Sequence, residues 1–387
     1  MRFAARFDAD ALMALARERT GLSDFGPDHF AEPLAILLRA MREEAELSES
    51  GAALQEERLV NALANRLRKQ ALLARHPEIL DEQVDVAVVI IGLPRTGSTM
   101  LHRLLAASPQ ATATRWWETI YPLPRSDEAG TDTEGRIADA ETLAAQIIAS
   151  SKGFDAIHPL DALAHDEELP LIEQSFVSNL PESMLYVPSY GEWLLAADQR
   201  PAYGELIDWL RILQWQDPAR RGQRWILKAP HHLTAVQTVL DMFPNAVIAM
   251  THRRVDHVMG SWYSMVASLT GGNSDADFAK EQASHWTQRL LRNLKDMMAA
   301  RAKAPDRFID IHYRSLLEDP LNCARRSFAA AGLTITAADE AAWADWLGAN
   351  KRDNRPSHRY DVADFGIAAD ELQADFAFYS DVFDPAR

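Results

Sequence analysis

Over roughly the first 80 residues the apolar side chains recur every three to four positions. Phe30, Leu34, Leu37, Leu38 and Met41 fall on one helical face, and Leu59, Leu63 and Leu67 on another, until Pro77 stops the pattern. This predicts an α-helical N-terminal extension over 1–80, packed on the main domain or on a second subunit. The spacing then changes abruptly. Val86 to Ile91 is an unbroken apolar run, β-branched except for Ala87, as expected of a parallel strand buried on both faces. From Ser98 the helical spacing returns with Met100, Leu101, Leu104 and Leu105, so Gly92 to Gly97 must be a tight strand-to-helix turn.

Pro109 ends that helix, and a long stretch without strand pattern follows. It includes the helical positions Ile137, Leu143, Ile147 and Ile148 and the proline-interrupted aromatic run from Leu180 to Leu194. Strand-then-helix units resume at Arg224–Lys228, Ala246–Met250 and Arg307–Ile311. The expected fold is α/β: a three-layer, P-loop-like domain with a central, mainly parallel sheet over 81–387. A helical insertion at about 122–220 would form the pocket or lid for a substrate.

Composition narrows the field. At 387 residues the chain is long enough for a deep pocket, in one large domain with an accessory part or in two domains. With 40 basic and 56 acidic side chains the net charge is −16, which argues against a nucleic-acid polymer as partner. One cysteine, Cys323, excludes an internal disulfide and a multi-cysteine zinc site, and reads as a small buried hydrophobe. The N-terminus has no apolar run of signal-peptide length and no stretch reaches a membrane span, so a soluble, cytoplasmic protein is expected.

The turn carries the first chemistry. Gly92-x4-Gly97-Ser98-Thr99 has the spacing of a nucleotide P-loop, with Ser98 where the Walker lysine would stand. Inward-facing N–H groups and the helix N-terminus make an anion cradle, and Arg95 is the cation fixed within it. The plain alternative is a strand-turn-helix whose glycines serve the turn alone. Further along, Glu118 follows two tryptophans, where desolvation would suit a general base; equally, it could pair with Arg115 or act as a cap. The cluster His165-Asp-Glu-Glu168 invites a metal reading, yet no second ligand set follows, and a solvated helix start is the better account. No metal is expected.

Lys228 closes a strand, before Pro230, His231 and His232, at the end where ligands of doubly wound sheets gather. Arg253 and Ser261, eight apart across the next strand-helix turn, could together grip one phosphate. Residues 350–360 are basic in an acidic protein, as in an anion-binding loop or flap.

Four segments in order, Ile91-Gly-Leu-Pro-Arg-Thr-Gly-Ser-Thr99, Leu227-Lys-Ala-Pro-His-His232, Thr251-His-Arg-Arg254 with Ser261, and Tyr313 before Glu318-Asp-Pro320, resemble the sulfotransferases that use 3′-phosphoadenosine-5′-phosphosulfate. The bacterial branch with a Pro-Arg-x-Gly-(Ser/Thr)-Thr loop, similar to tyrosylprotein sulfotransferases, is the nearest in pattern. The resemblance implies that Arg95, Thr96, Gly97, Ser98 and Thr99 form the 5′-phosphosulfate loop. By the same likeness Arg253 and Ser261 hold the 3′-phosphate, Tyr313 lies near adenine, and Lys228 contacts the sulfate and its bridging oxygen. Lys351 and Arg352 stand where the family closes a loop over the 3′-phosphate, although its Arg-Lys-Gly form is absent. For the base the likeness points to Glu118, with His232 as the competing choice.

The implied activity is metal-independent, in-line transfer of a sulfuryl group to a hydroxyl of a small-molecule or carbohydrate acceptor. Ten tryptophans suit an apolar alcohol or phenol, and equally a sugar stacked on them. Two other classes stand beside it. A P-loop kinase or hydrolase would need magnesium and an acid at a strand end, where Asp310 is the candidate; a non-catalytic nucleotide-binding protein would be indifferent to Glu118 and Lys228. A homo-oligomer is compatible with the sequence.

Overall fold

The computed structural model describes residue 3 and residues 5–125, 132–150, 160–350 and 361–383. Five parallel strands form one sheet in the order β2-β3-β1-β4-β5: β1 Val86–Gly92, β2 Ala111–Thr112, β3 Arg224–Lys228, β4 Val247–His252 and β5 Phe308–His312. The sheet is wholly parallel. β1 is central and buried along its length up to Gly92, which is why its apolar run does not alternate.

Helices cover both faces, giving three layers. Val89 and Ile91 of β1 face a core with Leu227, Ile248 and Met250, whereas Ala87, Val88 and Ile90 face Leu101, Leu105, Phe328 and Trp343. Ala87 and Val88 share a face because the register against β3 slips between Val86 and Val88, inserting one residue at the strand's start. Cys323 is a free thiol buried in the second of these cores, as its sequence context predicts.

Strand order fixes where a ligand can sit. The chain leaves β1 for the β2 edge, returns to lay β3 beside β1, and then places β4 on the other side. Loops after β1, β3 and β4 therefore meet at one crevice outside the carboxyl ends of the strands.

The N-terminal region is helical, with α1 Ala9–Thr20, α2 Ala31–Glu43 and α3 Glu49–Arg75. These helices share an apolar core with Phe176, Leu185, Tyr190 and Leu194 of the segment between β2 and β3. A buried ion cluster ties them to the same segment: Glu205 accepts from Arg66 at 2.7 Å and from Lys69 at 2.8 Å, and His29 adds a third partner. Burial would raise the Glu205 carboxyl, but His29, Lys69 and Arg66 outweigh it and hold the group well below the usual carboxylate range. At the start of α3, the Ser48 N–H and Gln55 Nε2 donate to the backbone and side-chain oxygens of Asn273, just past the helix Val255–Gly271.

Candidate functional site

The turn after β1 is built as a cradle. Arg95 and Gly97 both adopt left-handed backbone, at φ 65° and 89°, which swings successive N–H groups to one side. A Cβ at Gly92 would stand 2.4 Å from Thr251 Oγ1, and one at Gly97 would stand 3.0 Å from the Tyr313 ring, so both glycines are needed for close approach. Gly97 opens α4, Ser98–Ala106, whose first turn has neither a capping side chain nor an acidic residue. Its N–H groups and positive dipole end are thus left for an anion. The Thr96 hydroxyl faces inward, donating to Leu93 O at 2.7 Å and meeting Thr251 Oγ1 at 2.6 Å, so it locks the loop to β4.

Two further groups close on this loop. Arg253, just past β4, donates from Nη1 to Arg95 O at 2.9 Å, and its guanidinium carbon lies 4.2 Å from the centre of the Tyr313 ring. Ser261 sits half-buried on the helix Val255–Gly271. Lys351 and Arg352, with the rest of the basic segment 351–360, lie outside the described residues.

A cavity of about 570 Å³ opens beside the cradle at the ends of β1 and β3. Arg95, Ser98 and Thr99 line one end of it together with Lys228 and Glu167. Lys228 is buried, with Nζ 2.7 Å from Glu167 and 3.9 Å from Asp166. Burial alone would lower its ammonium, but Glu167, Asp166 and Glu168 more than reverse this and hold it above the ordinary lysine value. Two neighbouring histidines, His102 and His165, stay neutral near pH 7. Burial first, then Lys228 and His165, push His102 well below its ordinary value; burial, Arg115 and Arg220 push His165 down to about 4.

The acidic cluster differs from the solvated helix start expected of it. Asp166 and Glu168 are buried, and Glu168 uses both oxygens. One accepts the Lys228 backbone N–H at 3.1 Å, fixing the end of β3, and the other accepts from His232 Nε2. His232 Nδ1 in turn meets the Tyr203 hydroxyl at 2.6 Å, and burial with Glu168 nearby keeps that phenol protonated. Both nitrogens of His232 are therefore engaged, and the ring is buried outside the cavity lining. Glu168 and Tyr203 thus hold the ring in place.

Glu118 is also set away from the cavity lining. It is 3 % exposed, takes the Arg115 N–H at 2.7 Å at the start of the short helix Trp116–Ile120, and pairs with Arg220. The capping role is the one its geometry supports, because both oxygens already have partners. Sequence reasoning missed Glu167, whose single local signal was its place in the His165–Glu168 cluster. Asp310, the acid a magnesium-dependent kinase would call on, is held by both nitrogens of the Arg301 fork and by His252. Among the described residues no cluster of three or more His, Cys, Asp or Glu side chains is arranged to hold a metal ion.

A parallel sheet with a glycine-bounded anion loop after its central strand, and cations brought to it from two neighbouring strands, defines a P-loop-type α/β protein. The signature of the sulfotransferase family matches residues 87–337, and the chain belongs to that family. Among solved structures it is similar to sulfotransferase STF1 from Mycobacterium tuberculosis, at 30% identity over 96% of this chain and 98% of that one, with a TM-score of 0.79. It is also similar to sulfotransferase STF9 from Mycobacterium avium, at 27% identity over 97% and 96%, with a TM-score of 0.86. Among curated proteins there is no significant match.

Proposed function

We propose that this protein is an enzyme that moves the sulfuryl group of 3′-phosphoadenosine-5′-phosphosulfate to an acceptor hydroxyl, with Glu167 as the base. The observation that carries the reading is one continuous cavity that brings the loop residues Arg95, Ser98 and Thr99 to Lys228 and Glu167. The loop N–H groups and Arg95 receive the phosphosulfate, while Arg253, stacked beside Tyr313, faces the 3′-phosphate together with Ser261 and the adenine lies by the ring. The acceptor oxygen bonds to sulfur as the bond from sulfur to the bridging oxygen breaks. The acceptor proton passes to Glu167, and the products are a sulfate ester and adenosine 3′,5′-bisphosphate.

Lys228 has two partners to serve. It holds Glu167 through Nζ before the donor arrives, and with the donor in place the same ammonium faces the negative charge that grows on the bridging oxygen. Turning it to the donor frees the Glu167 carboxylate to accept the proton. Glu168, by fixing the Lys228 backbone and His232, keeps both groups in place.

Calorimetric titration with adenosine 3′,5′-bisphosphate, and separately with ATP, each with and without magnesium, tests the reading. Metal-independent binding of the bisphosphate with little response to ATP is expected; magnesium-dependent ATP binding with no response to the bisphosphate would sink it. Lys228→Ala should lower kcat by about 10²–10³ while bisphosphate affinity changes little. An unchanged kcat removes Lys228 from the mechanism.

A further inference from the structure

Away from Arg95, Ser98, Thr99, Lys228 and Glu167, the cavity wall among the described residues is mostly hydrocarbon. Trp116, Leu180, Met184, Trp262, Met265 and Trp286 come from four separate helices to form it. Among the described residues, its other polar side chains beyond the loop are Asn179 and Ser183. The Ser183 hydroxyl already donates to Leu180 O at 2.7 Å, and the Trp286 N–H to Glu182 O. Leu54 of α3, 53 % exposed, sits on the same wall, an apolar group left in water at the rim.

We infer that the acceptor is a neutral alcohol whose hydroxyl stands on a hydrocarbon body, a long chain or a fused-ring skeleton, and that Leu54 of the N-terminal helices takes part in choosing it. This rests on the sulfuryl-transfer reading above and specifies its acceptor. A sugar entering this space would lose water from several hydroxyls and find few partners for them, whereas a hydrocarbon body loses nothing on leaving water. An anionic acceptor would meet Glu167 with Asp166 and Glu168 behind it. A single hydroxyl is satisfied at the Glu167 end, and the apolar wall accounts for the remainder of the molecule. In the transfer the alcohol oxygen bonds to sulfur as the bond from sulfur to the bridging oxygen breaks, the alcohol proton goes to Glu167, and an alkyl sulfate leaves with the bisphosphate.

The test uses the purified full-length chain with 3′-phosphoadenosine-5′-phosphosulfate and follows bisphosphate release. The acceptors are n-dodecanol, farnesol, a 3-hydroxysteroid, glucose, trehalose and a tyrosine-containing peptide. One or more of the apolar alcohols should show a KM roughly tenfold or more below that of either sugar, and the chain and ring probes tell the two skeletons apart. Leu54→Gln, a surface change that leaves the fold intact, should raise the KM for that alcohol several-fold while bisphosphate affinity by calorimetry stays the same. Preferential sulfation of a sugar or the peptide, with bisphosphate binding intact, overturns the acceptor assignment and leaves the donor reading standing. An unchanged KM in Leu54→Gln overturns the role of α3. Absence of bisphosphate binding overturns the donor reading, and the acceptor assignment falls with it.

Discussion

Two carboxylates illustrate how little residue type says without surroundings. Glu118 and Glu167 are both glutamates in the same half of the chain, but Glu118 has Arg220 and the Arg115 N–H on its oxygens, whereas Glu167 meets Lys228 at the cavity wall. Glu167→Gln should lower kcat by about 10²–10⁴ with bisphosphate affinity retained. Glu118→Gln should leave kcat within a few-fold and lower the melting temperature, because it strips a buried partner from Arg220; the reverse pattern would return Glu118 to the mechanism. Arg253→Ala should weaken bisphosphate binding by about 1.5–3 kcal/mol, the range for hydrogen bonds to charged groups. Undiminished affinity in calorimetry would argue against a 3′-phosphate site there. Arg95, Ser98 and Thr99 were legible in sequence because one strand and its turn place them within a few residues of each other, and Lys228 because it closes a strand of its own. Glu167 was not, because only the packing of the long segment between β2 and β3 turns it inward.

At the scale of elements, the strand-turn-helix units carried their own signal, whereas the sheet order, with β3 and β4 flanking β1 and β5 beyond β4, is seen in the structure alone. The segment between β2 and β3 did so only in part: Ile137, Leu143, Ile147 and Ile148 mark the helix Thr133–Ser150, but the other helices are set by what they pack against. The Arg66–Lys69–Glu205 cluster is one such contact, joining α3 to the helix Arg200–Gln216. Glu205→Ala should destabilise the fold by about 3–5 kcal/mol, the cost of leaving buried charges without their partner. The pH dependence has a definite sign. A carboxyl held below its unfolded value adds stability that is fully present above that value, about 4.3, and is lost as the pH falls below it. The stability gap between the native protein and Glu205→Gln in urea titrations should therefore be wide at pH 6 and shrink toward pH 3. A gap independent of pH would contradict the charge assignment.

For the molecule as a whole, among the described residues no helix is long and apolar enough to cross a membrane. The N-terminal helices read from sequence as an extension packed on the main domain or on a second subunit. Their core, however, is shared with Phe176, Leu185, Tyr190 and Leu194, and α3 sends Leu54 to the cavity. Removing residues 1–80 should expose that apolar face, so that in calorimetry the whole chain unfolds in one cooperative transition and the truncated chain does not. A truncated chain that still melts cooperatively and turns over substrate would show the helices to be dispensable.

The helix Val255–Gly271 begins two residues after Arg253, carries Trp262 and Met265 into the cavity wall, and leads to Asn273, which the start of α3 grips. In the proposed reading donor grip and acceptor wall are thus coupled along one rod, and exchanges at Trp262 or Met265 risk moving Arg253 as well. Leu54, Leu180 and Met184 lie on other elements and carry no such penalty. Evolution toward new acceptors has its open route through these positions, where selectivity can drift while the sulfuryl donor is held constant.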